Sequence, residues 1–287
     1  MSHRFSRKGL YDLVWSEPMS TLATRYGISN VALAKACRRY NIPVPERGYW
    51  AKKKAGKGVQ QRPLSIRSPG MSDTVTVGAE YGSANCAASD RELLETTPEP
   101  PVFEHSLDEV TAEVRAAIGK VSVPKVMNHP HRLIAKLLAA DEARRKKVVE
   151  SPFLLGWDDP LFDTPFERRR LRLLNAIFTA LDRYGVKPWL SDKEARGLGI
   201  NIHGQRVLFS LDDANVKESY DSYPYKRCAN PSGKLKITIQ SGSWTNKSKR
   251  AWEDAKGLPL EKVITDIVIE LIVAGEKQYR DFAQSHY

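Results

Sequence analysis

The chain is poor in cysteine. Its three thiols, Cys37, Cys86 and Cys228, are odd in number and far apart, with no Cys-x-x-Cys pair. That excludes a disulfide framework and a zinc finger and points to a reducing compartment. No apolar run is long enough to span a membrane. The first residues, Met1 to Lys8, are basic but lack the apolar stretch and cleavage site of a secretory signal, so a cytoplasmic location is expected. A glycine-rich phosphate loop, a nucleophile elbow and a kinase signature are also missing; Gly197-Leu198-Gly199 leads into a strand, the wrong context for a dinucleotide site. Among the histidines only His129 and His131 are close together, and no further ligand stands at metal spacing beside them. No catalytic residue, metal or cofactor is therefore expected. Acidic residues are scarce in one region: residues 1–68 carry 14 Lys+Arg against 3 Asp+Glu, whereas the other 219 carry 31 of each. All of the net charge of +11 thus lies at one end, the electrostatic footprint of a segment that neutralises phosphates.

What is present is clearest from Ser16 to Tyr40, which reads as two short helices joined by a tight turn. Ser16 is expected to cap the first, with Pro18 in its first turn and Leu22 and Tyr26 on one face. Ala23 is small where the helices cross, Gly27 ends the first helix in a left-handed conformation, Ile28 fills the corner and Ser29 caps the second. Leu33 and Ala36 face inward, leaving Asn30, Val31, Lys35, Arg38 and Arg39 outward, with Ala34 small enough to permit close approach to a groove. An amphipathic hairpin without a nucleic-acid role accounts for the apolar pattern but not for the accompanying charge. Beyond it, Pro43 and Pro45 oppose helix, so an extended arm is expected to carry Arg47, Lys52, Lys53, Lys54 and Lys57 along a phosphate backbone or into the minor groove, with Tyr49 and Trp50 packing back on the helices. A solvated tail is the alternative reading of the arm.

The stretch from Leu10 to Lys54 resembles a known set. With Tyr26-Gly27-Ile28-Ser29 in the turn, Asn41-Ile42-Pro43-Val44-Pro45 after the second helix, then Arg47-Gly48-Tyr49-Trp50-Ala51-Lys52, it is similar to the N-terminal region of bacterial proteins described mostly as hypothetical or as helix-turn-helix DNA-binding. The resemblance implies double-stranded DNA as partner, a bacterial cytoplasm, and base-reading positions at Ser29, Asn30, Val31, Lys35 and Arg38. It covers this stretch alone and carries no reaction or regulated target.

Residues 59–106 are rich in Gly, Ala, Ser and Pro, acidic from Ser72, and read as a flexible linker. Short helices are expected over 107–120 and 131–150, within a helical connector spanning 107–159. From residue 160 to 287 the pattern is α+β: a helix over 164–185 with Leu171, Leu174, Ile177, Phe178 and Leu181 on one face; a hairpin with Leu198, Ile200, Ile202, Val207 and Phe209 inward; a strand at 234–240; and a closing helix over 258–276. The expected architecture is α+β, with an N-terminal helical head (1–58), a linker, and a small antiparallel sheet covered by helices on one face.

Two further features invite a chemical reading. Asp158, Asp159 and Asp163, and separately Asp212 and Asp213, resemble carboxylates of a magnesium site, but no lysine-bearing strand follows at nuclease spacing, so turn capping is preferred. Aromatic and basic residues interleave in two loops flanking the third strand, with Tyr223, Tyr225, Arg227, Trp244, Lys247 and Arg250 as a second nucleic-acid or partner surface; ordinary loop packing is preferred there. The sequence thus reads as a sequence-specific DNA-binding protein, foremost a bacterial transcriptional regulator whose C-terminal part forms a homodimer, senses a ligand or contacts a protein. The alternative is a DNA-targeting adaptor or nuclease of a mobile-element or phage-defence system.

Overall fold

The computed structural model describes residues 3–77, 102–150, 159–216, 231–241 and 248–285. The chain divides into two compact units, one reaching Pro101 and the other beginning at Val102, and the class is α+β.

The N-terminal unit is built of β1 (His3–Ser6), α1 (Arg7–Ser16), α2 (Met19–Arg25), α3 (Asn30–Arg39), α4 (Tyr49–Lys54) and β2 (Thr74–Val77). It is not purely helical. β1 and β2 pair antiparallel, His3 opposite Val77 and Ser6 opposite Thr74. Val75 and Val77 alternate inward and join Leu10, Val14, Trp15, Leu22, Leu33, Ala36, Cys37, Ile42 and Tyr49 in one core. Residues 59–77, expected in the linker, therefore belong to this unit. Their apolar positions are too few and too local for a periodic signal, and only pairing with the chain start turns Val75 and Val77 into a buried face. Of the rest of the expected linker, 78–101 lies outside the described residues and 102–106 belongs to the C-terminal unit.

The C-terminal unit contains α5 (Leu107–Ile118), α6 (Arg132–Glu150), α7 (Pro165–Tyr184), β3 (Lys187–Leu190), β4 (Leu198–Ile202), β5 (Gln205–Asp213), β6 (Leu235–Ser241), β7 (Ser248–Glu253) and α8 (Leu260–Ser285). Its sheet runs β3-β4-β5-β6-β7, every neighbour antiparallel. The inward strand positions expected from alternation, Leu198, Ile200, Ile202, Val207, Phe209, Leu235, Ile237 and Ile239, are all buried, against α7 and α8. Thr164 accepts the Glu167 amide at the start of α7, which runs to Tyr184 as its apolar face implies. Gly275 lies where α8 crosses β4, and a Cβ there would strike Ile202, so the close approach of helix and sheet depends on it.

Other boundaries differ from expectation. Val110, Val114, Ile134 and Leu137 enter the same core as the sheet, so α5 and α6 are part of this unit rather than a connector. α5 opens with a capping box: the Ser106 hydroxyl accepts the Glu109 amide and Glu109 accepts the Ser106 amide. β3 was not expected, being only four residues and carrying Pro188 at a sheet edge, where proline is tolerated. Residues 248–252, expected in a loop, form the opposite edge strand β7.

Buried ion pairs organise this unit. Arg170 is fully buried; it pairs with Glu167 and donates to the carbonyls of Glu194, Ala195 and Leu211. Burial pulls its pKa down, against the raising influence of Glu167. Arg196 links Glu167, Glu194 and Asp212. Arg169 bridges Asp254 and Glu261. Burial raises the Asp254 pKa, but hydrogen bonds from Arg169 and the amides of Leu235 and Leu260 overcome it and hold the carboxyl down at about 2.

Candidate nucleic-acid interface

The candidate surface begins at a turn. Leu22 and Ala23 of α2 are buried, and Gly27 takes φ 61°, the left-handed conformation that lets α2 stop and the chain reverse within four residues. The Ile28 amide donates to the Ala23 carbonyl at 2.9 Å across the turn. Ser29 then caps α3, its hydroxyl accepting the Ala32 amide at 3.1 Å. The start of α2 departs from expectation. Ser16 is the last residue of α1, donating to the Leu13 carbonyl, and Pro18 occupies the N-cap of α2 without a side-chain bond. The existence of α1 explains this: its hydrophobic face, Leu10 and Val14, continues to Trp15, so helix persists up to the residue that would otherwise cap the next one.

α3 separates its residues by face. Leu33, Ala36 and Cys37 are buried, whereas Asn30, Val31, Lys35, Arg38 and Arg39 are exposed and Ala34 is half-buried. Burial pushes the Cys37 thiol up to about 11, so it is an inert core group. Lys35 and Arg38 have no carboxylate partner among the described residues, in contrast to Arg25, which pairs with Glu17. Arg38 and Arg39, in the last turn of α3, also suit the helix dipole.

The residues after α3 are not an extended arm. Pro43 and Pro45 do keep the chain out of helix, but Gly48, at φ 87°, opens the short helix α4, which carries Lys52, Lys53 and Lys54, all exposed. Prolines restrict only their own and preceding residues, so helix resumes four residues beyond Pro45, at Tyr49. Tyr49 and Trp50 do pack back: Tyr49 meets Trp15 edge-on at 5.1 Å and Trp50 at 5.1 Å, and the Lys53 ammonium lies over the Trp50 ring. The Trp15 indole donates to the Pro43 carbonyl, closing the loop on α1. Arg47 is exposed just before α4.

Arg7 is the residue that sequence reading missed. It is buried at the start of α1, and its guanidinium donates to the carbonyls of Tyr40 and Asn41, where α3 ends, and to Ser65. It thereby ties the end of α3 to the start of α1 and to the segment around Ser65, and satisfies carbonyls that a helix end leaves open. Arginine in a basic segment reads as a surface cation, and only the fold reveals this one as internal.

The other candidate groups have structural partners. Asp213 accepts the amides of Asn215, Ser232 and Gly233, which overcome its burial and lower its pKa; Asp212 pairs with Arg196, and Asp163 with Arg145. Asp159 is exposed, and Asp158 lies outside the described residues. The His131 ring sits 2.8 Å from Asp182. Among the described residues no group of three or more His, Cys, Asp or Glu side chains could hold a metal, and no helix is long and apolar enough to cross a membrane. Of the second surface, Tyr223, Tyr225, Arg227, Trp244 and Lys247 lie outside the described residues. Arg250 is on β7, paired with Glu270 of α8 and beside the Trp252 ring, rather than in a loop. No protein-family model, curated protein or solved structure matches the chain.

Proposed function

We propose that this is a sequence-specific DNA-binding protein, a cytoplasmic transcriptional regulator of bacterial type, in which α2 and α3 act as a helix-turn-helix and α3 enters the major groove. The observation that carries the reading is the division of α3: an apolar face held in the core, and an outward face made of Asn30, Val31, Lys35, Arg38 and Arg39 within residues 1–68, the segment that holds the chain's excess positive charge. Asn30 has the paired donor and acceptor that match adenine, and Arg38 the fork that matches guanine. Lys35 serves base or phosphate, and Arg39 and Arg47 serve phosphate. Lys52, Lys53 and Lys54, three charges on one short helix, supply affinity that is independent of sequence.

The test is selection of duplexes from a random pool by the full chain. Enrichment of one site supports the reading, and the symmetry of that site reports whether the protein binds as a dimer. Binding without enrichment, falling only with salt, would reduce the N-terminal unit to a nonspecific anchor.

A further inference from the structure

Val31 stands apart from the core of its unit. It is 76% exposed, the most exposed large apolar side chain in the described part of the N-terminal unit, and it joins no part of the core. Valine is also a poor helix former compared with the lysine, glutamate or alanine that ordinarily fill an exposed helical position. The fold gains nothing from it. Its surroundings are polar and basic, with Asn30 before it and Lys35 one turn on along the same helix. Being β-branched, it is held close to one rotamer, so its two methyl groups form a rigid apolar knob. It lies in the first turn of α3, beyond the Ser29 cap, where base-edge contacts concentrate in a helix lying in the major groove.

We infer that Val31 is a specificity-determining residue that recognises thymine through the C5-methyl group, the one apolar feature of a base edge in the major groove. This rests on the reading of α3 as the DNA-contacting helix. Asn30 beside it adds the hydrogen-bonding half of the same recognition, so the two together favour a site containing A·T pairs. An aliphatic residue buries little on a phosphate backbone, so an apolar base edge is the partner that suits Val31 on this surface.

The experiment begins with the site selected by the full-length protein and replaces each thymine singly with uracil, which removes the methyl and leaves the hydrogen-bonding groups unchanged. Affinities are measured for the wild type and for Val31→Ala, a change that is exposed and improves helix propensity. The expected result is one thymine at which uracil weakens the wild type by about 4-fold, as burial of one methyl implies. Val31→Ala should lose a similar factor on the thymine site and nothing more on uracil. A selected site without thymine, insensitivity to uracil at every position, or equal sensitivity in Val31→Ala would each overturn the assignment to Val31 while leaving base reading intact. Absence of any enriched site would overturn it together with the functional reading.

Discussion

The core of the C-terminal unit and the α3–α4 surface of the N-terminal unit use positive charge differently. In the C-terminal unit two buried arginines are internal ties, Arg170 and Arg196 sharing Glu167, while the partly buried Arg169 joins Asp254 to Glu261 and the more exposed Arg145 joins Asp141 to Asp163. In the N-terminal unit Arg7 does similar work on backbone carbonyls, but Lys35, Arg38, Lys52 and Lys54 stand in solvent without a carboxylate partner among the described residues. A cation paired inside a fold stabilises that fold, whereas cations clustered on a surface repel one another and are relieved only by an anionic partner. Part of the positive charge of the C-terminal unit therefore serves its architecture, whereas α3 and α4 expose most of theirs.

Removing an internal tie tests this contrast most severely. Arg170→Met should destabilise the C-terminal unit by about 3–5 kcal/mol, because the Ala195, Leu211 and Glu194 carbonyls, the first two buried, lose this donor and Glu167 loses one of two arginine partners. Chemical unfolding of the full chain measures it, and a loss below ~1 kcal/mol would show that the network is incidental. Asp254→Asn is the next largest. The Asp254 pKa is lowered from 3.8 to about 2, so its carboxylate stabilises the fold above pH ~4, and that contribution fades as pH falls toward 2. The variant should be weaker by about 2 kcal/mol at neutral pH and converge with the wild type near pH 2. Stability measured at pH 7, 4 and 2.5 would expose a failure to converge. Smaller still, Ser29→Ala removes one cap of α3 and should cost the N-terminal unit about 1 kcal/mol. Salt should sharpen the contrast by raising the stability of the cation-rich unit more than that of the paired one.

The parts legible in sequence were those set by local rules. Periodicity located α7, the β4–β5 hairpin, β6 and the body of α8, and turn chemistry located Gly27 and the Ser29 cap. Residues whose roles depend on distant partners were not legible. β2 becomes a strand only because the chain start pairs with it, β3 and β7 are short edges without strong alternation, and Arg7 finds its acceptors 33 to 58 positions away. The outward face of α3 was readable because a helix fixes faces by spacing alone, while the arm was misjudged because helix after Pro45 depends on Tyr49 packing against Trp15.

The most direct measurement compares Arg38→Ala with Lys52→Ala/Lys53→Ala/Lys54→Ala on the selected site and on a scrambled duplex across a range of salt. Arg38→Ala should lose about 1–3 kcal/mol on the selected site and far less on the scrambled one. The triple variant should weaken on both duplexes alike, with the log–log salt slope shallower by about 2.7. Equal losses on both duplexes in both variants would contradict the division of labour between α3 and α4.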